Sequence, residues 1–189
     1  MQQRELVERA RRGDHDAFAQ LATASVTRLD AAARLILRDR ELARDAVQEA
    51  FVRAWRDLPG LRDPDRFDAW LRTLVVHACI DLIRRRRSRP VEVEIDDLHP
   101  AMADPIASFA DRDELDRALA RLSSDHRTVV VLHYYLGVPL PEAALSMGVP
   151  LGTAKSRLNR AIAHLRTALE PGAEPEPADA LELAGGRSA

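Results

Sequence analysis

From Leu42 to Leu58, apolar and small side chains recur at Leu42, Ala43, Ala46, Val47, Ala50, Phe51, Ala54, Trp55 and Leu58. That i, i+3, i+4, i+7 rhythm follows the helical turn and not the two-residue repeat of a strand. It commits the stretch to an amphipathic helix that needs an apolar neighbour. The opposite face carries Arg44, Asp45, Gln48, Glu49, Arg53 and Arg56, Pro59-Gly60 ends the pattern, and Pro64 falls in the following loop. The same rhythm runs through the preceding segments. Leu6, Ala10, Ala17, Phe18 and Leu21 form one series with a stop and restart at Gly13-Asp14, and Leu29, Ala32, Ala33, Ile36 and Leu37 form a second. A further helix starts near Asp65 to Asp68 and turns Phe67, Trp70, Leu71, Leu74, Val75, Ala78 and Leu82 inward. Thr73, His77, Asp81 and Arg84 fall along a different face of it, and a basic cluster of Arg84, Arg85, Arg86, Arg87 and Arg89 follows.

Periodicity then lapses. Residues 90–113 contain prolines and the acids Glu92, Glu94, Asp96, Asp97, Asp104, Asp111 and Asp113 against the one base Arg112. The alternation Val91-Glu92-Val93-Glu94-Ile95 resembles a strand, but with no partner strand elsewhere it cannot make a stable sheet. This stretch is expected to be a flexible acidic linker. Helices resume around Glu114, with Leu115, Ala118, Leu119 and Leu122 packing, and Ser123-Ser124-Asp125 supplies the next N-cap. That helix holds Val129, Val130, Leu132, His133 and Leu136 and stops at Gly137. Past Pro171 a tail rich in Pro, Ala, Gly and Glu has the composition of a disordered segment. A length of 189 residues fits one domain or two small ones. The expectation is all-α: two small helical domains, 1–89 and 114–169, joined by the linker 90–113 and followed by the tail 170–189.

The segment from Leu140 to Leu165 has helix-turn-helix spacing. A short helix from Leu140 to Met147 carries Ala143 and Ala144, Gly148 allows the reversal, and Gly152-Thr153 opens a longer helix. In that second helix Ala154, Leu158, Ala161, Ile162 and Leu165 face a core. Thr153, Lys155, Ser156, Arg157, Asn159 and Arg160 remain around the exposed side, and no acid occurs between Leu151 and Leu169. These are the donors a major groove asks for: Arg for guanine edges, Asn for adenine, hydroxyls and Lys for phosphates.

Other chemistries find little support. A single Cys79 excludes an intramolecular disulfide framework and a Cys-rich zinc site. His15, His77, His99, His126, His133 and His164 lack the spacing of a compact ligand set, so no metal, cofactor or catalytic residue is expected. Apolar runs are short and broken by Arg or Asp, and the N-terminal residues lead into no apolar signal core. A cytoplasmic protein without membrane insertion is expected. Net charge is only −2, but two basic patches flank an acidic strip, which suits two separate grips on phosphate backbone.

Gly152-Thr153-Ala154-Lys155-Ser156-Arg157-Leu158, preceded by Leu122-Ser123 and Arg127-Thr128-Val129-Val130-Val131-Leu132, resembles region 4 of bacterial sigma factors of the extracytoplasmic-function group in the sigma-70 family. Gly13-Asp14 with Ala17-Phe18, then Asp45-Ala46-Val47-Gln48-Glu49-Ala50-Phe51, Trp55, Trp70-Leu71 and Asp81 with the Arg run, resembles their region 2. The matching blocks cover residues 5–88 and 114–168 in the family's order. The helix-turn-helix alone also resembles response-regulator effector domains.

The resemblance implies a non-enzymatic factor that binds core RNA polymerase, directs it to promoter DNA and helps open the duplex. Docking on the polymerase clamp helices would fall on Asp45, Gln48, Glu49 and Arg53, although the residues alone also fit a solvated helix face. Minus-ten contacts would fall on Thr73, His77, Asp81, Arg84, Arg85, Arg86 and Arg87, with the loop Leu58 to Phe67 capturing an unstacked base. The Arg cluster by itself also reads as a solvated helix end. Minus-thirty-five contacts would fall on Thr153, Lys155, Ser156, Arg157, Asn159 and Arg160. The linker would thread near the RNA exit path or act as a plain tether, and an anti-sigma factor would clamp both domains. The chain departs from the family at Val76-His77, where Arg-Asn is common; a different promoter sequence or weaker opening is the implied consequence. Two other readings stand beside this one: a helix-turn-helix regulator acting without polymerase, and an interaction protein that sequesters a partner through its first domain.

Overall fold

Gly13 and Asp14 break the first apolar series into two helices. α1 (Gln2–Arg11) ends as the chain reverses through Gly13 at φ +93°, a conformation that suits glycine. Asp14 then caps α2 (His15–Leu37), its carboxylate accepting the Ala17 N–H at 3.0 Å. That bond, followed by the hydrogen bond from Arg9, holds the Asp14 carboxyl below its ordinary range. α2 joins two apolar series that the sequence presents separately. No breaker lies between them, and the Thr23 hydroxyl donates to Ala19 O at 2.8 Å inside the helix. Asp39 caps α3 (Arg40–Asp57) by accepting the Leu42 N–H at 2.9 Å. Two 3-10 turns, Leu58–Gly60 and Pro64–Arg66, lead to α4 (Phe67–Ser88).

These helices form the first of two compact units, residues 1–99 and 100–189; the computed structural model describes residues 2–88 and 109–169. All regular structure among the described residues is helical. The linker segment 90–108 and the tail 170–189 lie outside them. In the first unit α4 packs on both α2 and α3, around Ile36, Leu58, Phe67, Leu71 and Val75. Packing on two sides buries adjacent residues of α4, so Val76 and Cys79 join the core beyond the single stripe expected. Trp70, Leu74 and Leu82 are half-buried at its edge. Trp55 stacks on His15 at 4.4 Å between ring centroids and meets the edge of Phe18 at 5.1 Å.

The second unit opens with α5 (Phe109–Ala120), which begins inside the stretch expected to be linker. Ala118, Leu119 and Leu122 are buried, whereas Leu115, expected to pack, is 43% exposed. Ser123 caps α6 (Ser124–Val130), accepting the His126 N–H at 3.3 Å. The buried Arg127 guanidinium donates to Leu119 O at 3.5 Å and Leu122 O at 3.2 Å, satisfying carbonyls at the end of α5. A π-helical turn, Val131–Tyr135, follows, and His133 Nδ1 donates to Val138 O at 2.9 Å. α7 (Leu140–Met147) and α8 (Leu151–Leu169) meet through Gly148 at φ +65°.

Because Leu71 is fully buried, Leu71→Ala is expected to lower unfolding free energy by about 2–5 kcal/mol. Urea denaturation measures this, and a loss well under 1 kcal/mol would contradict the placement of the core.

Candidate nucleic-acid interfaces and docking face

On α8, Leu151, Gly152, Lys155, Ser156, Asn159 and Arg160 are exposed. Their spacing of one and four residues makes one continuous strip along the helix. Ala154, Leu158, Ala161 and Leu165 are buried, and α8 packs on α5, α6 and α7. Thr153 and Arg157 are half-buried and stand at the flank of the strip. Arg157 Nη2 lies 2.7 Å from Asp125 Oδ2 on α6, and Ser156 Oγ donates to Thr153 O at 2.9 Å. Of the six residues expected to face DNA, four therefore share the strip and two border it.

His126 neighbours this region. Its Nδ1 is buried without a hydrogen-bond partner, and its ring centroid is 6.1 Å from that of His164. Burial, then the charges of His164, Arg160 and Arg157, pull its pKa below the ordinary histidine value, while Asp125 opposes them. The neutral imidazole is thus the form the fold prefers.

α4 carries the second set. Thr73 is half-buried and its hydroxyl donates to Ala69 O at 2.9 Å. His77 is exposed, and Asp81 and Arg84 pair at 3.8 Å. Arg85 and Arg86 are exposed, Arg86 reaching back to the α3 cap Asp39 at 3.8 Å. Arg87 lies in the last turn of α4, and its side chain is outside the described set. At the departure noted above, Val76 is buried at 1% exposure while His77 faces outward. An arginine at position 76 would have to bring its charge into the core.

Asp45, Gln48 and Glu49 are exposed on α3, and Glu49 pairs with Arg53 one turn on at 2.7 Å. A groove of about 500 Å³ lies between α2 and α3, where apolar Val26, Val47 and Phe51 mix with charged Asp30, Arg34 and Arg44. Gln48 is the member of the expected set that lines it. Nothing in the helical periodicity points to this groove, or to the brace that α1 places on the loop after α3. Arg4 Nη1 meets Asp65 Oδ2 at 2.7 Å, and Arg11 Nη2 donates to Pro59 O at 3.4 Å. These partners are far apart in sequence, and no local pattern announces them.

Among the described residues no cluster of three or more His, Cys, Asp or Glu is arranged to hold a metal. Burial pushes the Cys79 thiol up to about 12, so it lacks the thiolate that redox chemistry needs. No described helix is long and apolar enough to cross a membrane.

An acid-free donor strip on the second helix of a helix-turn-helix, in a two-unit chain whose described regular structure is all helical, defines a DNA-binding protein of the helix-turn-helix class. Family models described as Sigma-70 region 2 and Sigma-70, region 4 match residues 21–89 and 112–165. The ECF RNA polymerase sigma factor SigM of Mycobacterium tuberculosis is 37% identical over 153 residues, covering 81% of this chain and 77% of that protein. SigL of the same species, also an ECF RNA polymerase sigma factor, is 35% identical over 136 residues, 70% of this chain and 77% of its own. Among solved structures, CnrH in complex with the cytosolic domain of CnrY has a TM-score of 0.63 at 32% identity, covering 89% of this chain and 97% of that one. The sigma factor RpoE of Bartonella quintana, in complex with the anti-sigma factor NepR, has a TM-score of 0.65 at 28% identity, covering 82% and 98%. The chain belongs to the extracytoplasmic-function sigma factors of the sigma-70 family: it is a transcription initiation factor that binds core RNA polymerase and directs it to promoter DNA.

The depressed His126 pKa gives a signed prediction. Stability from keeping this ring neutral is fully present above its unfolded value of about 6.5 and is lost as pH falls below it. His126→Gln should therefore lose less stability than wild type between pH 7 and pH 5 in urea titrations. Identical pH slopes for the two proteins would remove His126 as the cause.

Proposed function

We propose that the two units divide promoter recognition between them, with residues 1–89 docking on polymerase and handling the minus-ten element, and residues 114–169 reading the minus-thirty-five element. The observation that carries this reading is the exposed strip on α8, where Lys155, Ser156, Asn159 and Arg160 offer donors of the right kinds with no competing acid. Thr153 and Arg157 border the base-reading residues. The N-terminal end of α8 also favours a phosphate through its free N–H groups.

In the first unit, Asp45, Gln48, Glu49 and Arg53 form the polymerase-facing surface. The neighbouring α2–α3 groove supplies apolar contact that the charged face lacks. Along α4, Thr73, His77, Asp81 and Arg84 to Arg87 meet the minus-ten DNA, and the loop braced by α1 accepts an extruded base. Extrusion costs a few kcal/mol, which cations and a preformed loop help to offset. With Val76 in the core, His77 is left to contact DNA at that point, and promoter preference differs accordingly. The segment between α4 and α5, with the acids Glu92, Glu94, Asp96, Asp97 and Asp104, tethers the two units.

The chain performs no chemistry of its own, acts in the cytoplasm, and is held inactive by an anti-sigma factor. Support for that partner is that CnrH and RpoE were each solved with a bound partner. A regulator acting without polymerase is disfavoured because the Sigma-70 region 2 match covers α3 and α4 as well. Sites selected from random DNA with reconstituted holoenzyme, followed by run-off transcription, test the whole proposal; operator binding without polymerase would support the regulator instead.

Two variants probe the separate faces. Arg160→Ala is expected to cost about 1–3 kcal/mol of discrimination at one base pair of the minus-thirty-five element, measured by binding to a base-substituted promoter series. Charge reversal at Asp45 and Glu49 should weaken polymerase binding with little change in melting temperature, since both side chains are exposed. Undiminished holoenzyme assembly would reject this face as the docking surface.

A further inference from the structure

Arg157 differs from its neighbours on α8. Lys155, Ser156, Asn159 and Arg160 are exposed, whereas the Arg157 side chain is 26% exposed and meets Asp125 at 2.7 Å. Asp125 sits in the first turn of α6, just after the cap Ser123, where the helix dipole favours a carboxylate. The pair therefore ties the flank of α8 to the beginning of α6, two helices that pack directly. The surroundings are cationic: Arg157, Arg160 and His164 all bear on His126, and Asp125 is the anion acting against them there.

An arginine that reads guanine must aim two N–H groups at O6 and N7. Arg157 already spends part of its fork on Asp125. Turning that fork to a base would mean giving up the 2.7 Å contact that joins α8 to α6. A small rotation of α8 would also displace Lys155, Ser156, Asn159 and Arg160 together, so whatever sets the angle of the helix affects every base contact at once.

We infer that Arg157 is a positioning residue that holds the recognition helix on α6 through Asp125, and that it does not read bases. This rests on the reading of α8 as the helix that enters the major groove. Its loss weakens promoter binding uniformly, while loss of a base-reading residue changes which base is preferred.

The test uses holoenzyme reconstituted with Arg157→Ala, Asp125→Ala, the double variant, and Arg157→Lys, each measured on the selected promoter and on versions altered at every minus-thirty-five base pair. Each single alanine variant is expected to bind about five- to tenfold more weakly across the series with the ranking of sequences retained, and the double variant no more weakly than either. Arg157→Lys restores the charge without guanine's bidentate geometry and should recover most of the loss. Arg160→Ala serves as the contrast, because it should alter the ranking. A ranking change at one base pair in Arg157→Ala with no effect of Asp125→Ala, or no recovery with lysine, overturns the inference. If thermal melting shows an alanine variant unfolded, Arg157→Lys and Asp125→Asn decide, with lysine near wild type and asparagine uniformly weakened expected. Wild-type holoenzyme with no ranking at all would instead overturn the assignment of α8 as the reading helix, and this inference with it.

Discussion

α3, which packs on both α2 and α4, buries mainly alanine: Ala43, Ala46, Ala50 and Ala54 beside the one larger residue Val47, with Ala32 and Ala33 buried on α2 and Ala78 on α4. Small side chains let helix axes approach closely, and the distance between them follows from what lies at the contact. Each alanine removes little apolar area from water, so the cohesion of the unit falls on a few large residues, Ile36, Leu58, Phe67 and Leu71 among them. The second unit also buries alanines, Ala143 and Ala144 on α7 and Ala154 and Ala161 on α8, two helices that pack together. A fold built this way works through helix length and cap placement. Asp14, Asp39 and Ser123 start helices at defined residues, and that sets which polar side chains each helix presents outward.

The outward faces are charged but partly committed. Glu49 pairs with Arg53, Asp81 with Arg84, and Asp39 with Arg86. Exposed pairs of this kind contribute little to stability and exchange readily for a partner's phosphate or carboxylate. Such surfaces bind without demanding much reorganisation, as a dissociable initiation factor requires. The pair between Arg157 and Asp125 joins two helices of the second unit at 2.7 Å, from the flank of α8 to the first turn of α6. Which charged side chains are tied to a neighbouring helix is decided by packing and not by residue type.

The near-neutral net charge of the chain hides this arrangement. For the proposed promoter contacts the relevant features are that acids are absent from α8 and that cations collect at the end of α4. Local charge near a phosphate acts within about a Debye length, ~8 Å at physiological salt, so the average over the whole chain has little bearing on either grip.

Most of the helices, the turns at Gly13 and Gly148, the cap at Ser123 and the helix-turn-helix could be read from the sequence, because each depends on contacts within a few residues, whereas the Asp39 cap and the continuity of α2 were not. The family was legible for the same reason, through short blocks such as Gly152 to Leu158. Less legible were features decided by residues distant in the chain. The brace from Arg4 to Asp65, the groove between α2 and α3, the burial of Val76 and the exposure of Leu115 follow from which helices lie against which. The earlier start of α5 was masked by acidic composition, which suits a linker and the N-terminal end of a helix equally. The local sequence thus determined the elements and the residue types on each face. Only tertiary packing decided which of those residues remain exposed, since solvent access and ion pairing depend on the neighbouring helix and not on the residue's own periodicity.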